Sequence, residues 1–499
     1  MAGSKRGALY HRMKRASAAL LAMGIASCGG GEGGGGSTAP ASPNRAPSFS
    51  SSGQASVAEN SSAHVYLPTA TDADHDPVSF SITGGADAAF FTLGTQGELY
   101  FKQAPNFDLF ADANGDNVYE VTIAASDGKL SATQAVAITV TNEREGISVK
   151  RIATGLGATH AIASIEDTHQ LVVAGSGSLV SLINGATGAS STFHLFTDAS
   201  GRSVDGMTIL GLAWGYTFGP NKSLYVLKEK GGVASIACIR CGVSLYKDVV
   251  VESDIAAVAD GTSIVMGQYD GEIFVGIGDQ GGARAQDSSP AGGRYGKLYD
   301  YGLDPDPFNP APNRAIPHYF DPRLVGLGLH APTAIAKLEQ NLFGIADEGE
   351  QFSEVTTAPL RYLGMNFGWP YYDGQQERNA GGSALANLFA PSLVLPVGTN
   401  RRESKGIVAA LIYRGRLTGL ADRYVLADKS GHIWTIPWTG QTNVAQGTLE
   451  IRDADFTPDA GTIDNPAGMV LDASGDLYIL DSDGELFRVD ASGPFVIPA

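Results

Sequence analysis

The sequence is short of positive charge, and its N-terminal apolar run is too short to cross a bilayer. Its 499 residues contain 34 Lys and Arg against 52 Asp and Glu, giving a formal net charge of −18. This acidity argues against nucleic acid as a partner. The apolar run covers only residues 16–27, fewer than a stable membrane anchor needs. With 43% hydrophobic and 17% charged residues, the chain has the composition of a folded protein, and its length predicts two or three domains.

Cysteine is scarce, and its three positions exclude two kinds of site. Cys238 and Cys241 form a CxxC pair, which has too few ligands for a closed zinc site. No His follows Cys241, so covalent haem attachment is not indicated. In an oxidising compartment the pair predicts a Cys238–Cys241 disulfide, with free thiols as the alternative. The third cysteine is Cys28.

The N-terminus has the layout of a secretory signal, with five cations and no acid ahead of the apolar run. The run ends at Ile25-Ala26-Ser27-Cys28, which resembles a bacterial lipobox and implies that Cys28 is lipidated. A cleaved signal with a chance cysteine is the alternative. We expect residues 1–28 to be a lipoprotein signal peptide, whose five lost charges bring the formal charge from −18 to −23. The protein is then exported and anchored to a membrane through lipid, facing the periplasm or the cell surface.

Residues 29–45 are mostly Gly, Ser, Ala and Pro, so we expect a flexible linker. Residues 46–144 alternate short β-rich runs with polar turns, a spacing that predicts a β-sandwich. Segments such as Val57-Ala58-Glu59-Asn60 and Ala125-Ser126-Asp127-Gly128 resemble a bacterial cadherin-like (Ig-like) module. The resemblance implies calcium ligands at Glu59, Asp72, Asp74 and Asp127. The alternative is that these acids only solvate turns.

Residues 145–499 contain strand-like runs that end in turns and recur six times, and the chain's 64 glycines favour an all-β protein. The runs are 170–173, 223–227, 272–277, 341–345, 423–427 and 476–480. This recurrence predicts a six-bladed β-propeller whose last blade, 469–489, closes the ring against the first. A sandwich or an open barrel is the structural alternative.

Several motifs in this region resemble, in order, the soluble quinoprotein glucose and sorbosone dehydrogenase family. They include Gly278-Asp279-Gln280-Gly281, Ala285-Gln286-Asp287 and Asn366-Phe367-Gly368-Trp369-Pro370. The resemblance implies a central cleft that holds pyrroloquinoline quinone (PQQ) beside calcium and oxidises a sugar at its anomeric carbon. It also implies that electrons leave to a separate acceptor.

The sequence departs from this pattern at the expected catalytic residues. The segment before Ile264, where the family has a histidine, contains none. Asp260 is the candidate base there, with an ordinary turn aspartate as the alternative. His330 occupies the position of an expected arginine and is the second catalytic candidate, with a space-filling role as its alternative. By resemblance, the cofactor-binding candidates are Lys429, Asp279, Gln280, Asn366 and Trp369, and the calcium candidates are Asp347, Glu348 and Glu354. A solvated turn for Lys429 and the acids, and packing for Trp369, are the alternatives.

Two functions follow from these residues. In the first, the chain is a PQQ-dependent aldose dehydrogenase on a lipid anchor, with a sugar and an electron acceptor as partners. In the second, the propeller has no redox chemistry and acts with the cadherin-like module in calcium-dependent adhesion or in binding a surface protein or glycan.

Overall fold

The computed structural model describes most of the chain after its first 41 residues. The described residues are 42–165, 168–197, 200, 202–216, 222–240, 249–257, 263–269, 272–279, 284–288, 293–301, 323–339, 342–359, 363–382, 385–440 and 446–492. Two compact units divide the chain, residues 1–45 and 46–499. Of the first unit only residues 42–45 are described, and they have no regular structure.

The second unit begins with eight strands around a core of their own. They are β1 (Ser48–Phe49), β2 (Gln54–Ala58), β3 (Ala70–Thr71), β4 (Ser79–Gly84), β5 (Phe91–Leu93), β6 (Leu99–Phe101), β7 (Val118–Ser126) and β8 (Ser131–Thr141). The main sheet has the order β2-β8-β7-β4, with β2 and β8 parallel, and β1-β3 and β5-β6 form two small pairs. Alternate residues Tyr119, Val121 and Ile123 of β7 are buried, as a strand with one face on a core requires.

Twenty-seven further strands follow. They are β9 (Ile147–Ala153), β10 (Thr159–Ser164), β11 (Gln170–Gly175), β12 (Leu179–Asn184), β13 (Ser190–Leu195), β14 (Met207–Tyr216), β15 (Lys222–Lys230), β16 (Val233–Arg240), β17 (Val249–Ala257), β18 (Ile264–Tyr269), β19 (Glu272–Ile277), β20 (Lys297–Tyr301), β21 (Arg323–Leu327), β22 (Pro332–Glu339), β23 (Leu342–Glu348), β24 (Phe352–Pro359), β25 (Met365–Asn366), β26 (Tyr372–Asp373), β27 (Gln376–Glu377), β28 (Leu393–Pro396), β29 (Ile407–Tyr413), β30 (Arg423–Asp428), β31 (Ile433–Pro437), β32 (Glu450–Ile451), β33 (Pro466–Leu471), β34 (Leu477–Asp481) and β35 (Leu486–Ala491).

These strands form six larger sheets within the described residues. In order along the chain they are sheet 1 (β10 to β13), sheet 2 (β14 to β17), sheet 3 (β18 to β21 with β25), sheet 4 (β22 to β24 with β28), sheet 5 (β29 to β32) and sheet 6 (β33 to β35 with β9). The first strands β10, β14, β18, β22, β29 and β33 each touch the next, and β33 touches β10. The sheets therefore stand side by side around a closed, propeller-like ring, and the all-β prediction is confirmed.

Each of the six strand-like runs in the sequence overlaps the second strand of a different sheet, β11, β15, β19, β23, β30 or β34. The ring closes through hydrogen bonds within one sheet as well as by packing between sheets. β9, which precedes every other strand of the ring, pairs antiparallel with β35, placing Val149 opposite Val489. No helix among the described residues has the length and apolar character to span a bilayer.

Candidate functional site

The first strands of sheets 3, 4 and 5 begin at the same face of the ring, which we call the mouth. The Ser263 hydroxyl donates to the carbonyl of Pro332, and the Thr333 hydroxyl donates to the carbonyl of Ile407 at 2.6 Å. These contacts join the beginnings of β18, β22 and β29. The mouth is thus defined here by residues 263, 330–333 and 406–407 and by the loops that touch them.

A cavity of about 520 Å³ lies inside the ring. The six first strands line it, and most of the lining side chains are Ala, Val, Ile, Leu and Met. Polar lining groups come from His160, Ser164, Thr333 and Lys337. An apolar wall of this kind cannot hold a highly charged group by itself, so charged chemistry depends on the mouth.

In three sheets a buried aspartate lies at the last or the second-to-last position of the second strand. The Asp347 carboxylate accepts the backbone N–H groups of His330 and Ala331 at 2.8 and 2.7 Å. In sheet 5, Asp428 accepts the N–H of Lys405 at 2.8 Å, and in sheet 6, Asp481 accepts those of residues 464 and 465. In each of these sheets the carboxylate on the second strand binds the loop that precedes the first strand. Each aspartate therefore has a structural role.

His330 is half-buried at the mouth and is held by its ring nitrogen Nδ1. That nitrogen contacts the carbonyl oxygen of Glu348, which can only accept, so Nδ1 carries the proton in this hydrogen bond. In the neutral ring Nε2 is then the basic nitrogen. The imidazole also lies against the Trp369 indole, with ring centroids 4.0 Å apart. Backbone and side chain together fix the orientation of a possible acid–base group.

Trp369 packs against the His330 ring and is itself 3% exposed. Its Nε1–H donates to the carbonyl of Asp279 at 3.0 Å, and the Arg378 guanidinium lies 4.4 Å from its ring centroid. Asn366 and Gln286 exchange amide hydrogen bonds of 2.7 and 2.9 Å. The structure therefore brings Asp279, Asn366 and Trp369 together with His330, and these three serve as the scaffold of the mouth.

Two cationic side chains near His330, among the residues that the structure describes, are paired with carboxylates. Lys429 Nζ lies 3.1 Å from Glu348, and Arg378 contacts both carboxylate oxygens of Glu350 at 2.7 Å. Lys429 and Arg378 are exposed, so each pair contributes little to stability. The two ion pairs thus lie beside the residues that contact His330, Glu348 and Trp369.

Two of the calcium candidates are buried acids beneath this surface. Burial raises the pKa of Asp347 to about 6. Burial, and then the neighbouring carboxylates of Asp347 and Asp373, raise the pKa of Glu354 well above its usual range. Asp373 accepts the backbone N–H groups of residues 350, 351 and 352.

Three or more His, Cys, Asp or Glu ligand atoms lie within 4.8 Å of one another at two places among the described residues. The groups are His169, Asp472 and Asp476, and Asp108, Glu145 and Asp455. Neither contains Asp347, Glu348 or Glu354, whose calcium role stays a prediction. Of the other four candidates, Asp74 and Asp127 lie near Lys129 at one end of β7, together with Asp76. Asp72 accepts the backbone N–H groups of Asp74 and Asp76 at 2.7 and 3.3 Å.

Glu59 lies toward the opposite end of that sheet, where it accepts the N–H groups of Phe107 and Glu143 at 2.8 and 2.9 Å. It is therefore apart from the other three acids. Asp260, Gln280, Cys28 and Cys241 lie outside the described residues, and Cys238 lies in β16. Their proposed catalytic, cofactor, lipid and disulfide roles stay predictions.

Sequence reasoning missed Arg378 and the support that Asp373 gives to the 350–352 turn. Arg378 follows Trp369 by nine positions in an otherwise polar segment, and nothing in that spacing indicates that it returns to the indole ring. The hydrogen-bonded hairpin of β26 and β27 brings it there. Asp373 ends the aromatic turn that begins at Asn366. An acid at the end of such a turn is the sequence signal that could have indicated its supporting role.

Comparison with known proteins finds similar folds at low identity. No protein-family model matches the sequence, and a search of curated proteins finds no match. Among solved structures, the PQQ-bound aldose sugar dehydrogenase of Streptomyces coelicolor is 17% identical, with 69% of this chain and 98% of that chain covered and a TM-score of 0.49. The apo-form soluble aldose sugar dehydrogenase of Escherichia coli is 16% identical, with 69% and 99% covered and a TM-score of 0.49.

The WD40 β-propeller domain of Doa1 also matches, at 8% identity and a TM-score of 0.36, with 70% of this chain and 99% of that chain covered.

Proposed function

We propose that the chain is a sugar-dehydrogenase-like, six-bladed β-propeller whose mouth binds a sugar, with His330 as the group that accepts a hydroxyl proton. A cadherin-like sandwich at residues 46–144 precedes it, and a lipid on Cys28 anchors it after export. The observation that carries the proposal is the fixed ring of His330. Because Nδ1–H is donated to Glu348, Nε2 has its lone pair available to a hydroxyl group.

Oxidation of a sugar needs an electron acceptor, and the sequence resemblance implies PQQ, which takes up the hydride when it is bound. PQQ carries several carboxylates, so its site must supply cations. At the described mouth, Lys429 and Arg378 are already paired with Glu348 and Glu350. A quinone carboxylate at Lys429 would have to displace Glu348, and we derive no reaction step through PQQ.

The paired cations favour a second function, the binding of a glycan or a surface protein without oxidation. Carboxylates and cations around a buried aromatic ring offer donors and acceptors for sugar hydroxyls. This function needs none of the ion pairs to open. Both functions use the same mouth, and they differ in whether a quinone binds there.

The deciding experiment titrates the full-length chain with PQQ, with and without Ca²⁺, and then adds aldoses with an artificial electron acceptor. Saturable quinone binding and sugar-dependent reduction support the dehydrogenase. Lys429→Met should then weaken quinone binding about tenfold or more, as expected for loss of one charged hydrogen bond. The matched control is Lys405→Met, since Lys405 is exposed nearby and uses only its backbone N–H toward Asp428.

If the full-length chain binds no quinone, the proposal that it is a dehydrogenase is wrong. Glycans and surface proteins are then tested for binding to the wild type and to His330→Gln, and loss of binding in the variant supports the second function.

A further inference from the structure

The loop that joins sheet 4 to sheet 5 touches both the ring and the sandwich. It runs over residues 397–405, between β28 and β29, and most of it is exposed. Toward the sandwich, the Arg402 guanidinium donates to the carbonyl of Leu109 at 2.7 Å, and the Arg401 guanidinium lies 4.4 Å from the ring centroid of Phe110. We call residues 397–405 the bridging loop.

The two ends of the bridging loop are hydrogen-bonded to each other and to sheet 5. Ser404 donates its backbone N–H to the carbonyl of Pro396 at 2.8 Å, and Gly398 donates its own to the carbonyl of Ser404 at 3.0 Å. The Ser404 hydroxyl donates to the buried Asp428 carboxylate at 2.6 Å. Movement of the loop is therefore confined to its tip, residues 399–403.

Two side chains near the beginning of β31 hold this tip against sheet 5. Trp434 Nε1–H donates to the carbonyl of Arg401 at 2.8 Å. His432 Nε2 lies 3.2 Å from the carbonyl oxygen of Thr399, and the His432 ring lies beside the Trp434 indole, with ring centroids 5.6 Å apart. The tryptophan contact does not titrate, whereas the histidine contact depends on a proton.

Both ring nitrogens of His432 face an acceptor. Nε2 faces the carbonyl of Thr399, and Nδ1 lies 2.7 Å from the carboxylate of Asp453. A carbonyl oxygen and an ionised carboxylate can only accept, so each of these hydrogen bonds needs an N–H on the ring. A neutral imidazole has one N–H, and only the imidazolium has two. The arrangement therefore requires the charged form of His432.

The acids around His432 favour this charged form. Asp453, in the segment that follows β32, also accepts the backbone N–H of Ile433 at 2.9 Å, which fixes its carboxylate in front of the ring. Asp428, at the end of β30, adds a second negative charge. The hydrogen bond to Asp453 raises the pKa of His432 above its ordinary value, although partial burial opposes the shift.

The nearest cations in the sequence have acidic partners of their own. Arg452 pairs with Glu145 and Asp455 at the contact with the sandwich. Lys429, in the turn before His432, lies 3.1 Å from Glu348 at the mouth. The two arginines of the bridging loop face the sandwich, as described above. The charge that acts on the His432 ring from these segments is therefore mainly negative.

We propose that the protonation of His432 controls the position of the bridging loop. The imidazolium holds Thr399, and with it the two arginines that reach the sandwich. When Nε2 loses its proton, its lone pair faces the carbonyl oxygen of Thr399, and the hydrogen bond of 3.2 Å is lost. The tip of the loop then leaves sheet 5, while Nδ1 keeps its proton and its bond to Asp453.

The direction of the response to pH follows from the raised folded-state pKa. The hydrogen bond to Thr399 is complete below about pH 6.5, the ordinary pKa of histidine, and is lost as the pH rises through the raised value. The bridging loop is therefore closed in acid and opens above neutral pH. This control goes beyond the proposed function, since it needs neither a sugar nor a quinone.

Trypsin can measure the opening, because it cleaves after Arg402 only when that guanidinium leaves Leu109 and enters the protease. Cleavage of the full-length chain at residues 401 and 402 is followed by mass spectrometry from about pH 6 to 9, the range in which a histidine with a raised pKa titrates. Each rate is divided by that of a short peptide under the same conditions. The relative rate in the wild type should rise about tenfold or more with pH, as expected for loss of one charged hydrogen bond.

Two variants separate the titration of His432 from a merely structural role. His432→Gln has no titrating group at this position, so its relative rate should be independent of pH. Asp453→Asn should keep the rise but shift its midpoint down by about one unit or more, because the carboxylate no longer favours the imidazolium. His169→Gln is the matched control, since His169 also pairs with an aspartate, Asp472, but in the turn after β33. It should follow the wild type.

Circular dichroism checks that each variant is folded, and His432→Gln decides the question if Asp453→Asn is not. A wild-type rate that does not change with pH, or an equal rise in His432→Gln, would overturn the proposal. An unchanged midpoint in a folded Asp453→Asn would contradict it as well, because the group that titrates would then not be the imidazole beside Asp453.

Discussion

His330 and the pair of residues 347–348 are held together by both backbone and side chain. Asp347 accepts the backbone N–H of His330, and the carbonyl of Glu348 accepts from the imidazole Nδ1. The position of the residue and the tautomer of its ring therefore depend on one segment of β23. This is the arrangement that an acid–base group needs if its free nitrogen is to meet a substrate in a fixed direction.

The first prediction concerns His330→Gln. Glutamine can still donate one hydrogen bond to Glu348 but cannot accept a proton, so any sugar-dependent turnover should fall by about 10²–10⁴-fold. The melting temperature should change little. His169→Gln is the control, because His169 pairs with Asp472 away from the mouth. Steady-state turnover over a range of pH checks the prediction, and unchanged turnover in His330→Gln would remove His330 from the reaction.

The second prediction concerns Asp347, whose folded-state pKa is raised to about 6 mainly by burial. The folded protein then binds more protons than the unfolded chain between about pH 4 and 6. Asp347 thus adds stability that is fully present below about pH 4 and is lost as the pH rises through 6. Asp347→Asn should flatten this decline by about 3 kcal/mol.

Urea unfolding in a chelating buffer at pH 4, 5, 6 and 7 measures the effect of Asp347. If the wild-type and Asp347→Asn curves run parallel, the carboxyl does not titrate in this window. If the decline appears only in chelator, an ion neutralises the carboxylate and the calcium prediction for this acid gains support.

At the scale of elements, β9 is the strand on which the ring depends for closure. Ile147 and Val149 are both 1% exposed and pack in the core shared by sheets 5 and 6. The same strand supplies the outer edge of sheet 6 through its pairing with β35. A short strand near residue 150 thus completes a sheet whose other strands lie more than 300 positions later in the sequence.

The third prediction follows from this position. Ile147→Ala should lower the free energy of unfolding by about 2–5 kcal/mol, because it leaves a cavity in a closed core. Lys150→Ala on the exposed side of β9 loses only a 3.7 Å pair with Asp490 and should cost less than about 1 kcal/mol. Chemical denaturation compares the two, and a similar loss in both variants would mean that packing under β9 does not stabilise the ring.

At the scale of the whole molecule, the sandwich and the ring belong to one compact unit, and charged side chains form much of their contact. Arg144 donates to the carbonyls of Asp455 and Thr457 at 2.6–3.2 Å, and Arg402 donates to the carbonyl of Leu109 at 2.7 Å. Arg452 is the most buried of these cations. Such a contact is specific in geometry, and it is vulnerable to the loss of one charge.

The fourth prediction is that Arg452→Met destabilises the protein by about 3–5 kcal/mol, because it leaves buried carboxylates without their cation. Calorimetry should also separate the unfolding of the sandwich from that of the ring. Arg402→Met, which alters an exposed cation at the same contact, should leave a single transition and cost less than about 1 kcal/mol. A single transition in Arg452→Met would show that other contacts hold the two parts together.

The second strands of the ring could be predicted from the sequence because each is a compact β-rich run with a turn after it. One of the short β-rich runs that the sequence shows within residues 46–144 is 65–67, and it does not form a strand. Tyr66 makes only a bridge to Leu99, and Leu67 is 50% exposed. Pro68 follows, and its missing N–H prevents the ladder from continuing.

The candidate site was predictable only in part. His330, Asp279, Asn366, Trp369 and Lys429 could be named from motifs, and the structure gathers them at one mouth. Their hydrogen-bond partners could not be predicted, because a motif does not indicate whether a carboxylate faces an ion or a backbone N–H. The acidic cluster of Asp108, Glu145 and Asp455 could not be predicted for another reason. Its members are about 40 to 350 positions apart and meet only through packing between the sandwich and sheet 5.

The pairing of β9 with β35 also determines when the ring can close, because β35 is synthesised long after β9. A ribosome that adds ~5–20 residues per second needs on the order of 20 to 70 s to proceed from the end of β9 to the beginning of β35. During this interval the edge of β9 has no native strand beside it in its own chain. A second copy of the chain can offer its own β35 to that edge, so a high local concentration of unfinished rings favours rings that exchange their closing strands.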